Sequence, residues 1–276
     1  MKMTKSVLAQ AVLHVVILGL LFMLIYPLAM TLWNSLKSTP TYEVSKWYPT
    51  LPLRVSNLKV AFMAIWKYVV NTVIVALAGT AGCLFIASIS AYTFARMEFP
   101  GKKILFSLVI GLMMVPSVLT LVPSYAIYRE MGLLNNLWAL ILPVIIGGSI
   151  FGVFLLNSFF QGIPKDIFEA AKVDGATEFQ CYYRVAVPLC IPILTTLAIM
   201  KFIDVWNDYL WPMITMSDYD KLTISSGLIV SFTGQYSTNM PVTFAGYVIA
   251  SLPLIILFVT ANKYYVEGLV SSAIKM

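Results

Sequence analysis

Long uncharged stretches alternate along the chain with short segments that carry most of its charges. A helix of about 20 apolar residues crosses a hydrocarbon core of about 30 Å. Six uncharged stretches can supply such helices, namely 6–36, 68–95, 104–128, 131–164, 185–200 and 222–262. The fifth stretch is short and spans only by continuing through Lys201 and Asp204. Trimmed by hydrophobicity and by interfacial aromatic residues, the six predict helices near 12–33, 68–94, 104–128, 137–160, 188–211 and 244–265.

The composition places the chain in a membrane. Hydrophobic residues make up 60% of its 276 positions and charged residues only 11%, whereas an ordinary soluble domain has about a quarter charged residues. We therefore predict an all-α, polytopic membrane protein with six transmembrane helices, in which 1–276 form a single transmembrane domain. No segment can fold as a nucleic-acid-binding module, so the excess of Lys and Arg carries information on membrane orientation instead.

The distribution of Lys and Arg favours an orientation with both termini in the cytoplasm. With six spans in that orientation, ten Lys and Arg lie on the cytoplasmic side and seven outside. The short segment 95–103 alone carries three of the ten, Arg96, Lys102 and Lys103, whereas five of the outer seven fall in one long loop. Because positive charge accumulates in short cytoplasmic loops, we expect an N-in, C-in topology.

Few residues could support catalysis or metal binding. Cys83, Cys181 and Cys190 form no CxxC pair, which argues against a disulfide framework or a zinc site. His14 is the single histidine and has no second histidine to work with. No phosphate-binding GxxxxGK[ST] motif occurs, the nearest fragment being Gly101-Lys102-Lys103 in a basic turn. We therefore expect no cofactor, no metal and no enzymatic activity.

The loop 161–187, between the fourth and fifth spans, is polar but patterned as helix, turn and helix. Pro164 and Asp166 suit a helix start, and Gly175 suits a left-handed helix end. Ile167, Ala170, Ala171 and Asp174 share one helical stripe, on which two small alanines would let another surface approach closely. By pattern alone, an amphipathic helix lying in the membrane interface explains the same residues.

This segment resembles the EAA signature of permease subunits of ATP-binding-cassette importers. The matching residues are Glu169-Ala170-Ala171, then Gly175 after three residues, then Val185-Ala186-Val187-Pro188 after nine more. Other parts of the chain are similar to the carbohydrate-uptake (MalG-like) branch of that family, namely Asn71-Thr72, Ala91-Tyr92-Thr93-Phe94-Ala95-Arg96, Phe99-Pro100-Gly101-Lys102-Lys103, Met131-Gly132-Leu133-Leu134-Asn135, Ile163-Pro164, Trp206-Asn207-Asp208, Leu210-Trp211-Pro212, Gly234-Gln235-Tyr236 and Gly268-Leu269 to Lys275.

The resemblance implies the type I permease fold of such importers and a role in sugar or oligosaccharide uptake across a bacterial or archaeal cell membrane. It also implies a set of partners: a second, homologous permease subunit, two copies of a cytoplasmic ATP-binding subunit and an extracytoplasmic sugar-binding protein. In that family the EAA loop is the coupling helix that docks on the ATPase. Carried over to this chain, the coupling residues are Glu169, Ala170, Ala171, Asp174 and Gly175.

Polar residues within the spans are candidates for a translocation path, because ionisable groups at membrane depth normally face the bundle interior or a water-filled path. The candidates are Asn71, Lys201, Asp204, Asn207 and Asp208. The alternative for Lys201 and Asp204 is a locally paired structural cluster. Helix breakers such as Pro116 and Pro143 are open to either interpretation, helix packing or a lining role.

The outer loops 34–67 and 212–243 are rich in Tyr, Trp, Thr and Ser, which suits the docking of an extracytoplasmic protein and transient contact with sugar hydroxyls. Interface anchoring explains many of these aromatic residues as well.

The competing function is a self-sufficient secondary carrier or channel, driven by an ion gradient, in which Lys201 and Asp204 relay the ion. It predicts uptake by this chain alone, indifferent to ATP.

Overall fold

A computed structural model describes residues 2–234, 236 and 238–273, and side chains from 9 to 261. Gln235 and Lys275, which belong to the resemblance above, lie outside the described residues. All regular elements in the described part are helices: α1 Lys2–Ser35, α2 Thr39–Val44, α3 Ser56–Arg96, α4 Lys102–Leu112, α5 Ser117–Glu130, α6 Trp138–Gln161, α7 Lys165–Val173, α8 Glu178–Gln180, a π-helical turn Cys181–Ala186, α9 Val187–Leu189, α10 Ile191–Asn207, α11 Leu210–Thr215, a short 3-10 turn Tyr219–Lys221, α12 Ile224–Thr233 and α13 Met240–Ala273.

Four of the described helices are long and apolar enough to cross a membrane unbroken: Ala9–Ser35, Ser56–Arg96, Trp138–Gln161 and Met240–Ala261. Two further spans are possible only as bent pairs. Lys102–Leu112 meets Ser117–Glu130 at 97°, and Glu178–Leu189 meets Ile191–Asn207 at 76°. The described residues thus contain four to six spans by length and composition, depending on whether each bent pair crosses the membrane.

Two predicted spans were wrong in their continuity. The predicted helix 104–128 is broken between Leu112 and Ser117, because Pro116 has an extended backbone and no amide hydrogen to continue the helix. The predicted helix 188–211 bends at Cys190, just before Pro192, and ends at Asn207. Asp208 is extended there (ψ 118°), and α11 starts a new direction at Leu210.

The described chain falls into two compact units. The first contains the residues up to Trp66 together with Leu228–Leu252. In this unit most of α1 exposes apolar side chains, as a helix facing lipid tails does. The segment after α1 is organised around Lys37, which is only 1% exposed. Its ammonium donates to the backbone carbonyls of Ser45 and Tyr48, and the Asn57 amide donates to the carbonyl of Lys37 at 2.8 Å.

The second unit contains Lys67–Gly227 and the described residues from Pro253 on. Its helices α3, α6 and α10 approach closely at small residues of α6. A side chain added at Gly148 would lie 3.0 Å from the Cys83 sulfur, and one added at Gly152 would lie 2.6 Å from the Ala87 Cβ. Such small-residue contacts commonly hold helices together in membranes. Lipid tails are as apolar as the helices, so close packing, and not the hydrophobic effect, drives the association.

Candidate functional site

The polar loop after α6 forms the predicted helix and turn. Pro164 stands before α7, Asp166 lies in its first turn and Lys172 in its last, as the helix dipole favours. Gly175 has φ +84°, its amide donates to the Lys172 carbonyl, and the Ala176 amide donates to the Ala171 carbonyl at 2.9 Å. This is a Schellman helix end, which requires the left-handed conformation that glycine adopts without strain.

A second helix starts two residues after this turn. The Thr177 hydroxyl accepts from the Gln180 amide, and the Gln180 side chain accepts from the Thr177 amide at 2.8 Å. This capping box satisfies amide donors at the start of the helix. The chain then continues through the π-helical turn Cys181–Ala186 into α9 and α10. The segment from α7 to α9 is therefore one folded arm, which we call the coupling arm after the role that the resemblance implies for this loop.

The coupling arm divides into an inner and an outer face. Phe168 is buried, and Ala171 packs partly buried against the core of this chain. Glu169, Ala170 and Asp174 are exposed. Of the two alanines in the expected stripe, Ala170 is exposed and Ala171 only partly so, because the helix turns Ala171 toward the same core as Phe168.

An exposed apolar surface on the coupling arm was missed in the sequence. Val173 is 87% exposed and Phe179 is 67% exposed, which is unusual for such side chains on a polar loop. Val173 lies one helical turn after Glu169 on α7, so Glu169, Ala170 and Val173 give α7 an outer face with an apolar side chain and a carboxylate. Exposed apolar patches rimmed by polar residues are typical of protein contact sites. The sequence signal was Val173 itself, an apolar residue between Lys172 and Asp174.

Two residues at the end of α3 hold the inner face of the arm. The Arg96 guanidinium donates to the carbonyls of Phe160 and Ile163 at the end of α6, and lies 4.3 Å from the centre of the Phe168 ring. Tyr92, one turn earlier, packs edge-on against Phe160 at 5.9 Å. The last carbonyls of a helix have no partner within the helix, so a guanidinium there joins α3 to α6 and to the coupling arm.

Tyr92 also contacts the second half of the arm. Its ring lies 5.4 Å from that of Tyr182, and its hydroxyl donates to a Glu178 carboxylate oxygen at 3.3 Å. The other Glu178 oxygen forms an ion pair with Lys172 of α7. The hydrogen bond from the Lys172 ammonium to Glu178 raises the pKa of Lys172. Glu178 thus ties both halves of the arm to α3. The sequence analysis named Tyr92 only within a motif and used Arg96 only as a positive charge that indicates membrane orientation.

Three of the five path candidates meet at one cavity of about 290 Å³ in the second unit. Lys201, Asp204 and Asp208 line it, together with Thr223 and the apolar or small residues Val75, Leu140, Pro143, Val144, Gly148, Val205 and Pro212. The Lys201 ammonium lies 2.7 Å from a carboxylate oxygen of Asp204. The cavity thus combines apolar walls with a few polar groups, as small-molecule sites do.

The other two path candidates do not line this cavity. The Asn71 amide donates to the backbone carbonyls of Asp220 at 2.7 Å and Leu222 at 3.0 Å, so it fastens the chain beyond the 3-10 turn to α3. The Asn207 amide donates to the carbonyl of Ile203 in its own helix at 3.0 Å. The structure therefore places the side-chain amides of both residues in hydrogen bonds to backbone carbonyls. Among the described residues, no group of three His, Cys, Asp or Glu side chains could hold a metal ion.

Known transport proteins are similar to this chain along most of its length. Residues 83–270 match the family described as "Binding-protein-dependent transport system inner membrane component". The chain is 34% identical to the probable ABC transporter permease protein YurM of Bacillus subtilis, over 91% of this chain and 83% of that protein. It is 33% identical to the trehalose transport system permease protein SugB of Mycobacterium tuberculosis, over 91% of this chain and 93% of that one.

A solved structure shares the fold. A chain of a bacterial ABC transporter involved in the import of the acidic polysaccharide alginate superposes with a TM-score of 0.80 at 23% identity, covering 94% of this chain and 98% of that one. The family match spans well over half of the 276 residues, and the relatives align along nearly their whole length. The chain therefore belongs to the inner membrane components of binding-protein-dependent transport systems, the membrane-embedded permeases of ABC transporters.

Proposed function

We propose that this chain is a permease subunit of an importer for sugars or oligosaccharides. It forms half of the translocation path in the lipid bilayer, with a second, homologous permease as the other half. Two copies of a cytoplasmic ATP-binding subunit drive it, and an extracytoplasmic sugar-binding protein delivers the substrate. Sugar as the substrate class is supported by relatives such as the trehalose permease SugB, which aligns along 91% of this chain. Residues 1–276 act as one permease domain.

The coupling arm is the observation that carries this proposal. Its outer face, with Glu169, Ala170 and Val173, is available to another protein, while Arg96 and Tyr92 fix its inner face to α3 and α6. A push on the outer face therefore moves the membrane helices as well. Glu169 offers a carboxylate to a donor on the ATPase, ideally an arginine, and Asp174 and Gly175 shape the turn that bounds this surface.

ATP hydrolysis belongs to the partner subunits in this proposal. The chain has no phosphate-binding loop, so it contributes no nucleotide site and acts as the moving part rather than as an enzyme. Reconstitution in liposomes tests the division of labour. Sugar uptake is expected only when both permeases, the ATPase and the binding protein are present with ATP. Uptake by this chain alone, abolished by an ionophore and indifferent to ATP, would establish the ion-driven carrier instead.

Both termini and the coupling arm lie on the cytoplasmic side in this proposal. The segment 95–103, with Arg96, Lys102 and Lys103, supports that orientation, as short positively charged loops stay inside. A single cysteine placed at Val173, in a chain whose three native cysteines are replaced, is expected to react with a membrane-impermeant thiol reagent only after the cells are opened. A cysteine at Leu51 is expected to react in intact cells. The reverse result would invert the topology.

The segment after α1 is a proposed contact for the binding protein, and its order depends on Lys37. Burial lowers the pKa of this lysine, yet its ammonium supplies the donors for the Ser45 and Tyr48 carbonyls. Replacing Lys37 with Met removes these donors, which costs about 1–3 kcal/mol per buried group left unpaired. We expect the binding-protein concentration for half-maximal uptake to rise by about fivefold or more, with little change in the maximal rate.

The control for this prediction removes the same charge without the buried contacts. Lys59 is exposed in the same unit, and Lys59→Met is expected to leave both uptake parameters near those of the wild type. Uptake by membrane vesicles at a series of binding-protein concentrations gives both parameters. An equal effect of the two substitutions would show that charge alone matters and that the order of the loop does not.

A further inference from the structure

The cavity lined by Lys201, Asp204 and Asp208 has an unbalanced set of charges. Among its lining residues there is one ammonium group against two carboxyl groups, and the remaining polar side chain is the Thr223 hydroxyl. The other lining residues, such as Pro143 and Val144, are apolar or small. The cavity therefore has no excess of positive charge with which to attract an anion.

The single ammonium is already engaged. The Lys201 side chain is only 14% exposed, its nitrogen is 2.7 Å from Asp204, and it lies 5.6 Å from the centre of the Phe151 ring. Gly148 makes this placement possible, because a side chain there would come within 3.1 Å of the Lys201 stem. An anionic solute would have to compete for Lys201 with a carboxylate held three residues away on the same helix.

The two carboxyl groups keep capacity to accept hydrogen bonds. The Asp204 side chain is 63% exposed, and a carboxylate offers about four acceptor positions, of which Lys201 occupies one. The Asp208 carboxyl accepts from the backbone amides of Trp211, at 3.3 Å, and of Leu210, which leaves further acceptor positions on its two oxygens. Hydroxyl groups are donors that such acceptors bind strongly. The C–H groups on the face of a sugar ring can pack against the apolar wall formed by Pro143, Val144 and Val205.

We propose that this cavity is a transient subsite for one neutral sugar ring and that it disfavours sugars carrying carboxylate or sulfate groups. The inference rests on the proposed function and adds a substrate class to it. The volume of about 290 Å³ is at the small end of the range of about 300–1,000 Å³ typical of ligand pockets, which suits a single ring. The coulombic repulsion from the carboxyl groups corresponds to a discrimination against anions of about tenfold or more.

The charge of the cavity is measurable with thiol reagents of opposite charge. Val144 is half-buried and lines the cavity, so Val144→Cys places a reactive group in it. The complete transporter is purified in detergent, and the rates of modification by the trimethylammonium-ethyl and sulfonatoethyl methanethiosulfonates are compared. Leu51→Cys, 81% exposed and far along the chain from the cavity residues, gives the intrinsic ratio of the two rates. The parent chain corrects for the native cysteines.

We expect the ratio of the cationic to the anionic modification rate to be about tenfold higher at Val144→Cys than at Leu51→Cys. Combining Asp204→Asn with Asp208→Asn should bring the ratio back to that reference. Glucose at high millimolar concentration should slow the modification, and glucuronate, which has the same ring with a carboxylate, should not. A ratio at the reference value, an unchanged ratio in the double variant, or equal effects of glucose and glucuronate would overturn the proposal.

This outcome is separable from a failure of the proposed function. ATP-driven uptake by the assembled transporter is measured on the same preparations. If no sugar is taken up but the reagents report a negative cavity, the transport role fails and the charge assignment stands. If sugar is taken up and the reagents report no preference, the transport role stands and the selectivity of the cavity fails.

Discussion

Replacing Glu169 with Lys is expected to reduce ATP-driven sugar uptake to about a tenth of the wild-type rate or less, while the chain still inserts and assembles with the second permease. Glu169 is exposed on α7, so its reversal does not disturb the packing of this chain. On the proposed contact with the ATPase, it leaves a donor of the partner facing a positive charge. Truncating one member of a buried charge pair costs about 2–5 kcal/mol, and reversal costs at least as much.

The same loss is expected from Gly175→Pro for a different reason. Gly175 has φ +84°, whereas proline fixes φ near −65° and removes the amide that bonds to the Lys172 carbonyl. The chain would leave α7 in another direction, and the two halves of the coupling arm would separate. Gly175→Asn is the matched control, because asparagine tolerates the left-handed conformation and keeps its amide. Uptake by Gly175→Asn should stay within about twofold of wild type.

Uptake of radiolabelled sugar and the amount of ATPase co-purified with the permease are the two measurements. For charge reversal, the control is Glu98→Lys, which changes an 89% exposed side chain paired with Lys102 in the turn after α3. This control should transport nearly normally. Normal uptake in both Glu169→Lys and Gly175→Pro would mean that the coupling arm does not carry the force of the motor.

The second large effect is expected at Arg96. Replacing it with Ala leaves the carbonyls of Phe160 and Ile163 without their guanidinium donor and removes the stack on Phe168. A bond from a charged donor contributes about 1.5–3 kcal/mol, so the arm loses a large part of its attachment to α3 and α6. The outer face with Glu169 remains intact. The ATPase should therefore still bind and hydrolyse ATP, while sugar uptake per ATP falls by about tenfold.

This separation of hydrolysis from uptake distinguishes a broken mechanical link from a broken docking surface. Glu169→Lys should lose the ATPase from the purified complex, and Arg96→Ala should retain it. Arg96→Lys keeps the charge but not the planar fork that reaches two carbonyls and a ring, so intermediate uptake is expected. Lys103→Ala, an exposed charge removed from the adjacent turn, is the control and should behave as wild type. Tight coupling in Arg96→Ala would place the link elsewhere.

The coupling arm shows which structural features a local sequence pattern predicts and which it does not. Pro164, Asp166 and Gly175 act through the backbone of their own neighbours, so the start and end of α7 could be predicted from the order of residues alone. The orientation of Ala171 could not, because its burial depends on the position of α3 and α6 beside it. The contacts of Arg96 could not be predicted for the same reason. Its positive charge indicated membrane orientation, and only the fold brings the C-terminal end of α6 and the Phe168 ring next to it.

The membrane spans divide in a similar way. Apolar length alone predicts the unbroken helices, since a helix in lipid satisfies its own backbone. The breaks at Pro116 and Cys190 could not be predicted from the positions of prolines, because Pro123, Pro143 and Pro253 lie inside continuous helices. The 97° bend between α4 and α5 is therefore a property of the folded unit.

By itself, the sequence determined that this protein is a helical membrane protein with a helix, a glycine-ended turn and a second helix between its fourth and fifth predicted spans. These features depend on hydropathy and on backbone preferences of adjacent residues. The tertiary structure alone decided which path candidates share a cavity, that Asn71 is used in fastening the chain, and that Arg96 and Tyr92 hold the coupling arm. The hydrogen bonds of Arg96 to Phe160 and of Asn71 to Asp220 join residues more than 60 positions apart, and groups so distant along the chain become neighbours only through tertiary packing.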